Sequence, residues 1–227
     1  FHRRLPAGAP VAPAAPAPAG DFGRHEGVVI PGDVCYVGKA LDLGAHDVSC
    51  HGSFAVLRHL LNRDYLWNEV RAKGNAYGCA ASYDMVSRVF CCISTRDPHL
   101  RRTLAAFDAI ADHLAAVRLT RDDLRRLLIG AIGGVDAPHA PADKGSLALN
   151  HYLSGITPAQ RQQHREGALA CTVSDLRRWA PVFHAFAAHG QVCALAPAGR
   201  LAADAAGFDT IRDPLAARPV AGTGDGA

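Results

Sequence analysis

The stretch Val70-Arg71-Ala72-Lys73-Gly74-Asn75-Ala76-Tyr77-Gly78 constrains the fold most, because it joins a helical pattern to a strand pattern through a turn holding two glycines. Leu66-Trp67-Asn68-Glu69-Val70 reads as helix closing at Arg71, and Tyr77 begins an alternating run. Gly74 and Gly78 are expected to supply the backbone angles that let the chain reverse and lie close to a ligand. The turn therefore carries a helix onto a sheet, with a fixed cation and a phenol on either side of it. Arginine offers five donors and tyrosine a hydroxyl. Facing one point, they hold a peptide carbonyl and stabilise the oxyanion that develops when water attacks it. The plainer reading of the same pair is a salt bridge and the edge of a core.

The remaining pattern places this turn within a sheet and a set of helices. Val28 to Ala40 alternates around Pro31-Gly32, as a strand broken by a turn, and His51 to Asn62 reads as a helix. Tyr77 to Ser82 and Val86 to Thr95 form a hairpin turning near Asp84, so Tyr77 is anchored on a sheet. Pro98 starts a helix with Leu100, Leu104, Phe107, Ile110, Ala111 and Leu114 at helical spacing, a core face rather than a ligand stripe. Thr120-Arg121-Asp122-Asp123 caps another, running to about Val135. Asp136 to Lys144 reads as a Pro-rich loop leading to a short helix around Leu147 to Leu153. Thr157-Pro158 opens a further helix, and Thr172 caps a long one ending at Gly190. Gln191 to Ala196 closes the sheet. The fold class this predicts is α+β: a mainly antiparallel sheet with helices packed on one side.

Composition excludes more than it selects. A net charge of +3 on 227 residues, with no basic stretch interleaved with aromatics, argues against nucleic acid. The apolar runs are short and broken by charge, which argues against a membrane span. Seven cysteines without Cys-x-x-Cys spacing predict buried free thiols in a reducing compartment. Adjacent Cys91 and Cys92 on a strand would point to opposite faces and could not easily bridge. Asp136 and Asp143 read as turn formers rather than an acid/base pair. Residues 1–25, rich in Ala and Pro, are expected to be an interdomain linker, 26–213 the domain, and 214–227 a disordered tail.

Several ordered motifs carry a resemblance. Val34-Cys35-Tyr36-Val37-Gly38-Lys39-Ala40 is followed by Asp64-Tyr65-Leu66-Trp67-Asn68-Glu69-Val70-Arg71 and by the turn itself. Then come Ala80-Ala81-Ser82-Tyr83-Asp84 and Ser94-Thr95-Arg96-Asp97-Pro98. Ala131-Ile132-Gly133-Gly134-Val135-Asp136-Ala137-Pro138 and Asp143-Lys144-Gly145 precede Gly155-Ile156-Thr157-Pro158-Ala159-Gln160-Arg161-Gln162 and Arg165-Glu166. From Val34 to about Ala188 the chain resembles the C-terminal domain of the presequence proteases, in the pitrilysin and insulinase group of zinc metallopeptidases.

That resemblance implies a clamshell protease of four related α+β domains, of which this chain is the fourth. In the family the first domain carries an inverted zinc motif, His-x-x-Glu-His, and the fourth supplies an Arg and a Tyr across the cleft. The carry-over makes Arg71 and Tyr77 the contacts to the scissile carbonyl and its tetrahedral intermediate. Lys73, Gly74, Asn75 and Gly78 form the substrate loop, with Asn75 standing where the family usually has a second glycine. None of the twelve histidines begins the inverted motif, and His25-Glu26 has Val29 where the forward motif needs its second histidine. His51, His59, His113 and His184 read as packed or solvated imidazoles. The expectation is thus no metal or other cofactor bound by this chain, with zinc in the partner N-terminal half, on the same chain or as a separate subunit. The implied substrate is a short unstructured peptide, of the targeting-peptide kind, and the implied location bacterial cytoplasm or organellar matrix or stroma. The competing reading is a catalytically inactive peptide-binding or partner subunit of the same fold.

Overall fold

A computed structural model describes residues 24–46, 51–214 and 216. The Ala/Pro stretch 6–20 and all of the tail except residues 214 and 216 lie outside them. The single alternating run of the sequence yields two strands, β1 (His25–Val29) and β2 (Cys35–Asp42). Gly32, at φ 117°, turns the chain between them, a conformation open to glycine at no steric cost. The two strands then flank β5 (Gln191–Ala196): β1 runs parallel to it and β2 antiparallel. With β3 (Gly78–Tyr83), β4 (Val89–Asp97) and β6 (Thr210–Arg212) they make a six-stranded sheet in the order β3-β4-β2-β5-β1-β6. The β3–β4, β4–β2 and β2–β5 pairings are antiparallel and the two through β1 parallel, so the sheet is mainly antiparallel as expected. β6 was not foreseen, because three residues are too few for alternation to show.

The helices depart from the expected boundaries in four places. α1 (Ser53–Leu60) does not stop near Asn62 but continues through π-helical turns, Leu61–Tyr65 and Trp67–Ala72, so the two expected helices are one rod ending at the Arg71 turn. The run from Pro98 divides at Ala109 into α2 (Arg101–Asp108) and α3 (Ile110–Ala116). After α4 (Arg121–Val135) the expected loop is short: α5 (Pro141–Leu153) starts on Pro141, since proline in a first turn removes no hydrogen bond the helix would make. Finally, α6 (Pro158–Leu169) precedes α7 (Val173–Arg177) and α8 (Ala180–His189), the expected single helix breaking before Pro181. The caps at Thr120, Thr157 and Thr172 are all complete capping boxes. α9 (Ala198–Ala203) leads into the last strand.

Burial shows which face the helices cover. On β2 Cys35, Val37, Lys39 and Leu41 are buried, and on β5 Val192, Ala194 and Ala196, while the intervening Tyr36, Gln191, Cys193 and Leu195 are exposed. Helices therefore pack on one side, and the other side presents Tyr36, Ile93 and Leu195 partly exposed. The core between the layers is aromatic: Phe90 of β4 meets Phe183 edge-on at 5.0 Å and Phe186 at 5.2 Å, and Phe54 meets Trp179 at 4.9 Å. Lys39, 5% exposed on the covered face, is held by Asp108 Oδ1 at 2.5 Å and the Ala187 carbonyl at 2.8 Å, the pairing a buried ammonium requires. Cys91 and Cys92 do take opposite faces, and the six cysteines among the described residues are free thiols.

Three histidines are built into the helical layer. His59 lies against α4 at Gly130, His113 packs on Tyr65 with centroids 4.5 Å apart, and His164 Nδ1 is buried with no hydrogen-bond partner among the described residues. Burial disfavours the imidazolium at all three and holds their pKa values below the ordinary histidine value. The unfolded chain then binds more protons than the folded one just below about pH 6.5, so stability is complete above that pH and falls on acidification through it. Thermal melts should show a lower midpoint at about pH 5 than at about pH 7.5, with a shallower fall in His164→Gln. A flat profile would mean that these rings titrate as freely folded as unfolded.

Candidate active-site turn

The candidate site stands where the long helical rod meets the sheet edge. Leu66 and Val70 are buried, and Tyr65 donates its hydroxyl to the Ala106 carbonyl at 2.7 Å, so the end of the rod is fixed against the core. Arg71 leaves its exposed side. Its guanidinium lies over the Trp67 ring, 4.1 Å from the centroid, one helical turn back. Among the described residues it has no carboxylate partner.

Backbone hydrogen bonds close the turn: Lys73 N donates to Asn68 O at 2.9 Å, Asn75 N to Arg71 O at 2.9 Å and Ala76 N to Val70 O at 3.1 Å. The glycines act differently from expectation. Neither Gly74 nor Gly78 has a positive φ. A Cβ on Gly74 would sit 2.4 Å from Val70 O, and one on Gly78 would sit 2.8 Å from Thr95 Oγ1, so both are needed for close approach. The left-handed residue is Asn75, at φ 59°. Asparagine tolerates this region better than most residues with a Cβ.

At the strand end Tyr77 N donates to Arg96 O at 3.3 Å, and the side chain is 69% exposed, which rules out the core-edge reading of this tyrosine. The Arg96 guanidinium lies 5.4 Å from its ring centroid. Lys73 is exposed and paired with Glu69 at 2.6 Å, an i,i+4 surface contact worth little to stability. Cys79 donates to Leu66 O at 3.2 Å; burial raises its pKa, and the nearby Arg71 charge pulls it the other way.

Trp67 and Arg96 were not foreseen as parts of this site. Arg96 owes its place to a bulge: Cys35 pairs with Asp97 and Val37 with Ser94, so Thr95 and Arg96 together oppose Tyr36. Among the described residues no three His, Cys, Asp or Glu side chains are grouped as metal ligands, and His25-Glu26 lies on a strand. The described residues do not form a zinc cage.

A mixed sheet backed on one face by helices is the architecture of pitrilysin-type peptidase domains. A protease from Helicobacter pylori superposes with a TM-score of 0.60 at 18% identity, covering 85% of this chain and 49% of that one. Pitrilysin superposes at 0.51 with 15% identity, covering 77% and 19%. The model of the PreP C-terminal domain family matches residues 25–196, and the chain belongs to that family. It is 35% identical over 175 residues to presequence protease 1, chloroplastic/mitochondrial, of Arabidopsis thaliana, a match covering 77% of this chain and 16% of the relative. The chain thus spans about a sixth of that relative's length.

Proposed function

We propose that this chain is the non-zinc, C-terminal domain of a zinc-dependent oligopeptidase that degrades short unstructured peptides. Arg71 and Tyr77 hold the scissile carbonyl and stabilise its tetrahedral intermediate, and the metal and general base come from an N-terminal half. The observation that carries this is the pair of exposed polar side chains, each braced by a second side chain, at the two ends of one tightly bonded turn. A guanidinium on an indole face is preorganised, so little side-chain freedom is lost when it binds a carbonyl. Membership of a presequence protease family and the presequence proteases among its relatives support the substrate class. Free thiols and relatives named as mitochondrial or chloroplastic support a reducing matrix, stroma or bacterial cytoplasm.

In the protease assembled with its zinc-bearing half, Arg71→Met should lower kcat/KM about a hundredfold while leaving the melting temperature of this domain unchanged, because the lost donors face solvent here. Unchanged kcat/KM would sink the assignment. The inactive-subunit reading predicts that no upstream or neighbouring coding sequence carries His-x-x-Glu-His. The retention of both Arg71 and Tyr77 speaks against it.

A further inference from the structure

Arg96, an exposed residue of β4, is held in a left-handed backbone conformation at φ 46°, as are Asn75 and Arg88 in the turns of the same hairpin region. A residue with a Cβ gains nothing there from its backbone. The left-handed region costs a residue with a Cβ about 1–2 kcal/mol relative to glycine, and such strain persists only where surrounding structure enforces it. The enforcement is visible on both sides. The bulge against β2 places the extra residue, and next to it Asp97 is fully buried, accepting from Thr103 Oγ1 at 2.6 Å and from His99 N at 2.8 Å. This locks the end of β4 one residue beyond Arg96. The result of the bulge is to turn the Arg96 side chain out of the strand alternation and over the Tyr77 ring, while its carbonyl accepts from the Tyr77 amide. Among the described residues Arg96 has no carboxylate partner, and its guanidinium lies 5.4 Å from the Tyr77 ring centroid.

We propose that Arg96 is a positioning residue for Tyr77: its carbonyl fixes the backbone and its guanidinium fixes the phenol ring, so that the hydroxyl is presented to the oxyanion without a search among rotamers. The proposal rests on the reading of Tyr77 as an oxyanion contact. It predicts a separation that a structural role would not produce. Replacing Arg96 by Gly relieves the left-handed strain, so the domain should melt at the same or a higher temperature, while turnover falls because the phenol is no longer held.

The test uses the assembled protease and a short unstructured peptide, with Arg96→Gly, Arg96→Lys, Tyr77→Phe and the Arg96→Gly/Tyr77→Phe pair. Arg96→Gly should lower kcat about tenfold with KM little changed, the size expected of a cation held over one ring. Arg96→Lys should recover part of the loss. In the Tyr77→Phe background Arg96→Gly should have no further effect, since it acts through the hydroxyl. If Tyr77→Phe lowers kcat but Arg96→Gly does not, or if their effects simply multiply, Arg96 does not position Tyr77 and the reading of Tyr77 stands. If Tyr77→Phe leaves kcat unchanged, both assignments fail.

Discussion

Tyr77→Phe in the assembled protease should lower kcat about a hundredfold and leave KM within about threefold, the loss seen when one donor to an oxyanion is removed. The reason is differential. A ground-state carbonyl carries little charge, and water substitutes for one lost hydroxyl; a tetrahedral intermediate carries a full negative oxygen, so a donor aimed at it matters more there. The substitution removes one oxygen and keeps the ring, so the contact with Arg96 and the amide bond to its carbonyl survive. The side chain is 69% exposed in this chain, so stability should not move, and a lower melting temperature would point to a packing role instead. A rise in KM with kcat unchanged would make Tyr77 a general peptide-binding contact, not a transition-state one.

Gly52→Ala should destabilise the domain by about 3 kcal/mol, the upper end of what overpacking does to a well-packed interior. Gly52 precedes α1 and is buried against α6, where a Cβ would meet His164 O at 1.9 Å, Ala168 N at 2.4 Å and Gly167 C at 2.7 Å. All three are backbone atoms, and no rotamer change relieves them. The two helices must separate, which pulls on Ser53, whose buried hydroxyl accepts from Trp179 Nε1 at 3.1 Å, and on the aromatic cluster around Phe54. Urea unfolding of the isolated chain measures the effect. A midpoint equal to that of the parent would mean the helices part there without loss of packing.

The site was legible where chemistry and local pattern coincide. A helix ending in Arg71, two glycines and an alternating run starting at Tyr77 announced a helix–turn–strand, and the structure has one. What local pattern could not show was why each glycine is there. Both are required by an atom that approaches from another turn or strand, Val70 O in one case and Thr95 Oγ1 in the other. Asn75, between the two glycines, is the residue whose backbone goes left-handed. Arg96 stood in a recognised motif, yet its alignment with Tyr77 depends on a bulge against β2, a strand some sixty residues earlier in the chain. The continuation of α1 was missed for a related reason: it runs on through π-helical turns with Leu61, Tyr65, Leu66 and Val70 buried along one side.

By itself the sequence determined the main strands and helices, the threonine caps of three helices, the α+β class and the polar pair Arg71 and Tyr77 flanking the turn, since each is read from residue pattern along the chain. Only the tertiary structure decided that β1 and β2 separate around β5, that a short β6 joins the sheet beside β1, and that Trp67 and Arg96 brace the two side chains. Those facts depend on which distant segments pair, and strand pairing is fixed by hydrogen bonds and burial summed over the whole sheet, which no local pattern contains.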